Sequence, residues 1–158
     1  MIVLGVTGHR GVEQKPGELL RFARLFIDLA AADHVITGMA QGWDLAVAYA
    51  CFAAGVPYTA AIPHTHQPDG WPAPDREVWL LCVNGATRVN IGSAIYEPGV
   101  YSDRNRWIVD NSDEIASLYD GRPRGGTRHC VLYAQSKGRR IHPLWDRWQR
   151  FRQIGDRA

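Results

Sequence analysis

The sequence predicts one α/β domain in which a mostly parallel sheet lies between two layers of helices, a three-layer sandwich. Short apolar runs alternate along the chain with amphipathic stretches, which is the pattern of repeated β-α units. The first run, residues 2–7, is apolar, as expected of a strand that is covered on both faces. A length of 158 residues, with 46% hydrophobic and 22% charged residues, fits a single globular domain.

Each predicted strand is followed by a predicted helix. The apolar runs that indicate strands are residues 2–7, 34–37, 57–62, 86–91, 114–119 and 139–142. The stretches that indicate helices are residues 16–31, 45–54, 75–83, 102–110, 125–136 and 144–152. Pro16 suits the first turn of the first helix, and Gly55 ends the alanine-rich second helix. Residues 64–74 are rich in proline and are expected to be irregular.

The charge is unevenly distributed along the chain. The net charge is +2, but residues 137–158 hold seven basic and two acidic residues and carry +5, which leaves −3 for the first 136. We therefore separate a domain at residues 1–143 from a basic C-terminal helix or tail at residues 144–158. The tail is expected either to meet an anionic partner or to be a solvated arginine-rich helix end. Its apolar face leaves open whether it docks on its own sheet or on a second copy, as in a homo-oligomer.

Several classes of protein are not expected. No apolar run approaches the roughly 18–20 residues that span a bilayer, and the N-terminus lacks the features of a secretion signal. The three cysteines are scattered and form no C-x-x-C pair, so we expect a cytoplasmic protein without a disulfide framework or zinc finger. His64 and His66 have no third ligand at a sensible spacing. We therefore predict no metal, no cofactor and no membrane partner.

The first candidate binding segment follows the first strand. Ligands of parallel α/β sheets lie beyond the carboxyl ends of the strands, where helix N-termini present free N–H groups. Gly8 and Gly11 allow a sharp turn and a close approach to a ligand. Thr7 offers a hydroxyl group, His9 lies between the glycines, and Arg10 offers a fork for a phosphate or carboxylate. The alternative is a simple turn with a surface arginine, since the G-x-G-x-x-G spacing is absent.

A second segment lies where the second strand runs into its helix. Gly38 and Gly42 allow backbone N–H groups to form a cradle for an anion. Asp44 falls in the first helical turn, where it either caps the helix or accepts hydrogen bonds from ribose hydroxyls. Trp43 either stacks on a base or packs in the interior.

The third segment, residues 120–128, is the strongest indication of a phosphate site. Gly125, Gly126 and Thr127 open a predicted helix, and three arginines lie within the same stretch. Cations repel the positive N-terminal end of a helix, so an anion is expected there. The alternative is a solvated basic loop.

A fourth stretch adds polar residues from a helix. Residues three and four positions apart are neighbours on a helical surface, so Tyr101, Arg104 and Asn105 share one face. Alone, this spacing indicates little.

Together the four segments resemble the SLOG superfamily, a Rossmann-like group of nucleotide-derivative binders. The group includes YpsA-like proteins, the DNA-processing protein DprA and LOG-type cytokinin phosphoribohydrolases. The YpsA-like pattern fits best, through Val6-Thr7-Gly8-His9-Arg10, Thr37-Gly38-x-x-x-Gly42-x-Asp44, Arg104-Asn105, Asp110-x-Ser112-Asp113, Tyr119-Asp120-Gly121 and Gly125-Gly126-Thr127. These motifs span residues 2 to about 142, and residues 37–62 also look like the matching stretch of DprA.

The resemblance implies a Rossmann-like pocket and a ligand of the NAD-derived, ADP-ribose-like or nucleotide class, or nucleic acid. The residues it implies for the pocket are Gly8, Arg10, Gly38, Gly42, Asp44, Arg104, Asn105, Gly125, Gly126 and Thr127. The chain departs from the P-G-G-x-G-T-x-x-E run of LOG-type hydrolases, since Arg124 follows Pro123 and Cys130 holds the place of the glutamate. Cleavage of an N-glycosidic bond needs a well-placed carboxylate, so this departure argues against an enzyme.

Three interpretations therefore remain open. The first is a protein that binds a nucleotide or an NAD- or ADP-ribose-derived molecule through phosphate and ribose, as a sensor or a sequestering protein. The second is a DprA-like single-stranded DNA-binding protein that uses the basic, aromatic tail. The third is an N-glycosidic nucleotide hydrolase in which Asp44 or Asp110 replaces the missing glutamate.

Overall fold

A computed structural model describes the backbone of residues 1–157 and the side chains of residues 1–155. The last residue of the predicted tail, Ala158, lies outside the described residues, as do the side chains of Asp156 and Arg157. Strands and helices alternate throughout this part of the chain. They are β1 (Val3–Gly8), α1 (Glu18–Ala30), β2 (His34–Thr37), α2 (Trp43–Ala54), β3 (Tyr58–His64), α3 (Ala73–Gly85), β4 (Arg88–Ser93), α4 (Val100–Asp110), β5 (Glu114–Leu118), α5 (Gly126–Ser136), β6 (Arg140–Pro143) and α6 (Trp145–Arg157).

The strands form one parallel sheet in the order β4-β3-β2-β1-β5-β6. The chain steps outward from β1 to β4 and then crosses back to β5, which pairs with the other edge of β1. The direction of winding therefore reverses between β1 and β5. In open parallel sheets this switch point forms a crevice at the carboxyl ends of the strands. The predicted three-layer, Rossmann-like sandwich with a mostly parallel sheet is confirmed.

Two hydrophobic clusters fill the space on the two faces of the sheet. The larger one joins Val6 of β1 to apolar residues of α1, α2, α3 and α6. The smaller one joins Ile36 and Ile115 to Ile108 of α4 and Cys130 of α5. Neighbouring residues along a strand point to opposite faces, so strands that are apolar on both sides hold both helix layers.

The observed element bounds differ from the expected ones mostly by one to three residues. The expectation that Pro16 lies in the first turn of a helix is wrong, because α1 begins at Glu18. Gly17 precedes it with φ of 79°, a left-handed conformation that interrupts the helix. The Glu18 side chain accepts hydrogen bonds from the N–H groups of Gln14 and Lys15, which holds the incoming loop.

The C-terminal helix α6 packs against its own chain. Leu144 and Trp148 are fully buried in the larger cluster. The Trp148 ring lies 5.3 Å from the ring of Phe22 in α1 and contacts Phe151. This packing accounts for the amphipathic face of the helix. The division of the chain at residue 143 and a homo-oligomer stay predictions.

Neither membrane helices nor disulfides are found in the described part of the chain. None of the helices within residues 1–157 has the length and apolar character required to cross a membrane. Cys51, Cys82 and Cys130 are buried free thiols.

Candidate functional site

The predicted loops meet around a cavity of about 390 Å³ at the carboxyl edge of the sheet, at the switch point between β1 and β5. Ten of the thirteen predicted site residues line this cavity, namely Thr7, Gly8, His9, Arg10, Asp44, Arg104, Asn105, Gly125, Gly126 and Thr127. The loops after β1, β2 and β5 supply three walls, and α4 supplies the fourth. Residues from distant parts of the sequence thus converge on one cavity.

Asp44 and Arg104 form the buried centre of the cavity. Asp44, in the first turn of α2, is 6% exposed, and Arg104 of α4 is 9% exposed. The Arg104 guanidinium donates to the carbonyl oxygen of Gly38 and, through Nε, to Oδ1 of Asn105 at 2.9 Å. It also lies over the Tyr101 ring, 5.5 Å from the ring centroid. These contacts offset the free-energy cost of removing the Arg104 guanidinium from water.

The Asp44 carboxyl group has an open hydrogen-bonding position. Its Oδ1 atom is buried and has no hydrogen-bond partner. Burial raises the pKa of Asp44 to about 6, although the charge of Arg104 and a hydrogen bond from the Ala40 N–H oppose the rise. A buried acceptor without a donor is costly. Asp44 is therefore prepared to accept a hydrogen bond from a group placed in the cavity.

The N-terminus of α5 contributes free donors. The first backbone bond of this helix runs from the His129 N–H to the Gly125 carbonyl at 3.1 Å, so the N–H groups of residues 126–128 have no intrahelical acceptor. Gly125 has φ of 99°, which favours glycine. Nδ2 of Asn105 donates to the Gly126 carbonyl at 3.3 Å and ties α4 to the start of α5. Such a helix terminus suits an anion.

The three arginines near α5 have different roles. Arg122 lines the cavity and pairs with Asp120, with Nη2–Oδ2 at 2.7 Å and Nε–Oδ1 at 3.0 Å. This pairing holds the pKa of Asp120 well below its ordinary range. Arg124 and Arg128 do not line the cavity. Of the three arginines expected to crowd the start of α5, Arg122 is the one that lines the cavity, and it already has a carboxylate partner.

Arg10 is an exposed cation of the cavity that has no partner in the described chain. Its guanidinium has no hydrogen-bond or ion-pair partner among the described residues. Its neighbour His9 is buried, and its Nε2 atom lies 3.0 Å from Oδ1 and 3.1 Å from the backbone nitrogen of Asp120. Burial, with a contribution from the Arg122 charge, lowers the pKa of His9, although Asp120 opposes the shift. His9 is thus held by Asp120, and Arg10 supplies the free positive charge.

Comparison with known proteins agrees with this geometry. No protein-family model matches the chain. The UPF0398 protein of Bacillus thuringiensis (strain Al Hakam), a YpsA-like protein, is 27% identical to this chain. The alignment covers 87% of this chain and 85% of the relative. The UPF0398 protein BCAH187_A1726 of Bacillus cereus (strain AH187) matches to the same extent.

Solved structures match the fold at lower identity. DprA from Streptococcus pneumoniae has a TM-score of 0.68 at 19% identity over 90% of this chain, and the chain spans half of that protein. DprA from Helicobacter pylori, described by its single-stranded DNA binding mode, has a TM-score of 0.64 at 17% identity over 90% of this chain and 64% of its own. The protein TM1055 has a TM-score of 0.58 at 18% identity over 93% of this chain and 79% of its own. The chain has a Rossmann-like fold similar to that of DprA. The resemblance expected from the motifs is confirmed.

The other three predicted site residues, Gly38, Gly42 and Trp43, lie behind the cavity wall and do not line the cavity. Gly42 has φ of 83°, and a Cβ atom there would lie 2.3 Å from the Arg10 carbonyl oxygen. Gly38 accepts hydrogen bonds from Arg104 and from Nε2 of Gln67, the latter at 3.0 Å. Trp43 is fully buried and does not line the cavity, and its ring lies 5.5 Å from that of Phe26. Of the two roles considered for Trp43 from the sequence, its position fits packing in the interior and not stacking on a base.

Three residues outside the thirteen predicted site residues also lie at or beside the cavity. Tyr101 and Arg122 line the cavity. Gln67 is buried, donates to Gly38 and accepts a hydrogen bond from Nε1 of Trp79 at 2.9 Å. The helical spacing indicates Tyr101, and the third loop contains Arg122. Gln67 lies in the irregular stretch, and no local pattern distinguishes it.

The place of the LOG-type glutamate is apolar in this chain. Cys130 is fully buried, and burial raises the pKa of its thiol to about 11, so it stays protonated. Asp44 is the carboxylate among the residues that line the cavity. Asp110 is instead engaged at the far end of α4, where Tyr133 donates to its Oδ1 at 2.8 Å.

The two histidines of the irregular stretch do not meet at a metal site. His64 is buried beside Tyr101, with Nε2 3.4 Å from the tyrosine oxygen. His66 is exposed and pairs with Asp69 at 3.2 Å. Within residues 1–155 the structure has no group of three His, Cys, Asp or Glu residues able to hold a metal ion.

Proposed function

We propose that the chain binds a nucleotide or an NAD- or ADP-ribose-derived molecule in the cavity at the switch point. The observation that carries this proposal is one cavity at which three complementary groups meet. These are the free N–H groups at the start of α5, the unpaired guanidinium of Arg10 and the carboxyl group of Asp44, whose buried Oδ1 has no partner in the protein. Donors and a cation suit a phosphate, and a carboxylate acceptor suits a hydroxyl group.

The phosphate fits the side of the cavity formed by α5. The free backbone N–H groups of Gly126 and Thr127, both of which line the cavity, carry the partial positive charge of the helix start. Arg10 and Arg122 supply full charges on the neighbouring loops. The carboxylate of Asp120 offsets Arg122, so Arg10 provides most of the attraction.

The ribose fits beside Asp44. A ribose hydroxyl is a donor that would satisfy Oδ1, which no group of the protein satisfies. Since Cys130 replaces the glutamate of the hydrolases, the cavity has little means of cleaving an N-glycosidic bond. We therefore assign a sensor or sequestering role, in a reducing cytoplasm that keeps the three thiols free.

Calorimetry with matched ligands tests the proposal. AMP and ADP-ribose should bind, and adenosine, which lacks phosphate, should bind at least about tenfold more weakly, because charge-assisted contacts are lost. Equal affinity for AMP and adenosine would show that phosphate is not the anchor. Absence of binding for all three ligands would remove the proposal.

A second candidate function is binding of single-stranded DNA. The observation that favours it is the exposed basic face of α6, with Arg147 and Arg150, on a fold shared with DprA. A gel-shift titration of a poly-dT oligonucleotide over a salt series tests it, with Arg147→Ala/Arg150→Ala as the variant. Each phosphate contact that is lost should reduce the salt slope by roughly 0.7. Binding that does not depend on salt would exclude this function.

A further inference from the structure

A second cavity adjoins the candidate site. It has a volume of about 590 Å³ and lies between the loop after β1 and the helices α1, α2 and α3. The two cavities share Arg10 and Gly11 in their walls. A ligand that extends past this loop would therefore enter the second cavity.

The partition between the cavities is made of backbone. Gly42 lies so close to the Arg10 backbone that an added Cβ would be 2.3 Å from the carbonyl oxygen and 2.6 Å from Cα. The Trp43 N–H also donates to the His9 carbonyl at 3.3 Å. The loop after β1 is thus fastened to the start of α2. The exposed Arg10 side chain stands where the two cavities meet.

The second cavity has a different chemistry from the first. One side is apolar or aromatic, and its residues are Leu19, Leu20, Leu45, Ala46, Tyr49 and Val78. The other side is rich in acceptors, since Glu13, Gln41 and Asp75 line it and Nε2 of Gln41 donates to Oδ2 of Asp75 at 2.8 Å. Arg10 is the cation in this lining. An acidic, partly aromatic cavity repels phosphate and suits a planar ring that carries N–H donors.

We propose that the ligand has two parts, with its sugar phosphate in the first cavity and a nitrogen-rich aromatic ring, such as a nucleobase, in the second. Arg10 then contacts the linking phosphates at the junction. This inference rests on the proposed function, because it needs a phosphate ligand in the first cavity. It narrows the ligand class to molecules with a base and a sugar phosphate at opposite ends of a phosphate linker, as in ADP-ribose.

The test compares ADP-ribose with ribose 5-phosphate by calorimetry in three proteins. Ala46→Trp fills the second cavity from α2, and Ala53→Trp adds the same side chain at an exposed position of the same helix. Wild-type protein should bind ADP-ribose at least about tenfold more tightly than ribose 5-phosphate, since a stacked base adds affinity. Ala46→Trp should abolish this difference and leave the affinity for ribose 5-phosphate unchanged. Ala53→Trp should behave as wild type.

Asp75→Ala is a second variant that adds no bulk. It should weaken ADP-ribose at least about threefold and leave ribose 5-phosphate unchanged, because it removes an acceptor from the second cavity alone. Equal affinities of the two ligands in wild-type protein, or an equal loss of both in Ala46→Trp and Asp75→Ala, would overturn the two-part ligand and keep the phosphate site. If neither ligand binds wild-type protein, the proposed function fails, and this inference fails with it.

Discussion

Asp44 and Arg104 approach each other across Gly38, a residue that has no side chain to separate them. A Cβ atom on Gly38 would lie 2.8 Å from Nη1 of Arg104 and 2.9 Å from Oδ2 of Asp44. The two charged groups come from α2 and α4, on opposite faces of the sheet. The glycine at the end of β2 thus allows a carboxylate and a guanidinium to meet at the switch point.

Gly38→Ala should damage both the fold and the site. The new methyl group would displace the Arg104 guanidinium, so we expect the free energy of unfolding to fall by about 1–3 kcal/mol. AMP affinity should fall as well, because Asp44 and Arg104 lose their positions. Urea denaturation and calorimetry measure the two effects. Gly155→Ala, at an open position in α6, is the control; it should leave AMP affinity unchanged and should not lower stability, since alanine favours a helix over glycine. A Gly38→Ala protein with wild-type stability would contradict the close approach.

The pKa of Asp44 predicts a dependence of stability on pH. Burial raises this pKa from its ordinary 3.8 to about 6. A carboxyl group with a raised pKa favours the folded state while it is neutral, so its contribution is lost as the pH rises from about 4 through 6. The shift corresponds to about 3 kcal/mol.

Asp44→Asn removes this titration. The free energy of unfolding of the wild type should fall between pH 4 and pH 7 relative to that of the variant, as measured by urea denaturation at several pH values. Asp103→Asn serves as the control, since that side chain is 75% exposed. The assignment fails if the wild type and Asp44→Asn have parallel pH profiles.

Arg10→Ala should separate binding from stability. The guanidinium has no hydrogen-bond or ion-pair partner among the described residues, so its removal should change the free energy of unfolding by less than about 0.5 kcal/mol. AMP affinity should fall at least about tenfold, because one charge-assisted contact is lost. Arg24→Ala, on the exposed face of α1, should leave affinity unchanged. Unaltered AMP binding in Arg10→Ala would place the phosphate elsewhere.

Trp148→Ala should show that α6 belongs to the core. Trp148 is fully buried, and truncation of a buried tryptophan costs about 3–5 kcal/mol. Ile154→Ala, on the same helix at a position that is 68% exposed, should cost less than about 0.5 kcal/mol. Thermal unfolding of the two variants makes the comparison. Similar stabilities would mean that the helix is only loosely attached.

The burial of Trp148 also bears on DNA binding. A base cannot stack on a ring that is enclosed by Phe22 and Phe151. Any DNA contact of α6 must therefore use its exposed arginines. Trp148→Phe, which keeps the apolar packing, should bind poly-dT oligonucleotides as the wild type does.

Local sequence patterns predicted the elements and most of the cavity wall. The segment Gly125-Gly126-Thr127 indicates a helix start near any anion, and the structure brings it to the cavity with Arg10 and Asp44. Such signals are local because glycine conformation and helix polarity depend on neighbouring residues. The same patterns could not separate Trp43 as a base platform from Trp43 as a core residue, since both use an aromatic side chain after a glycine.

By itself, the sequence determined the order of strands and helices, the parallel sheet and the loops that carry polar groups, because periodicity and turn residues act over short distances. Only the tertiary structure decided which loops share a volume. The pairing of β5 with β1 brings residues 122–127 to residues 7–10, and Gln67 reaches Gly38 from a stretch without pattern. Contacts between residues far apart in the chain follow from strand order and packing, which no local spacing encodes.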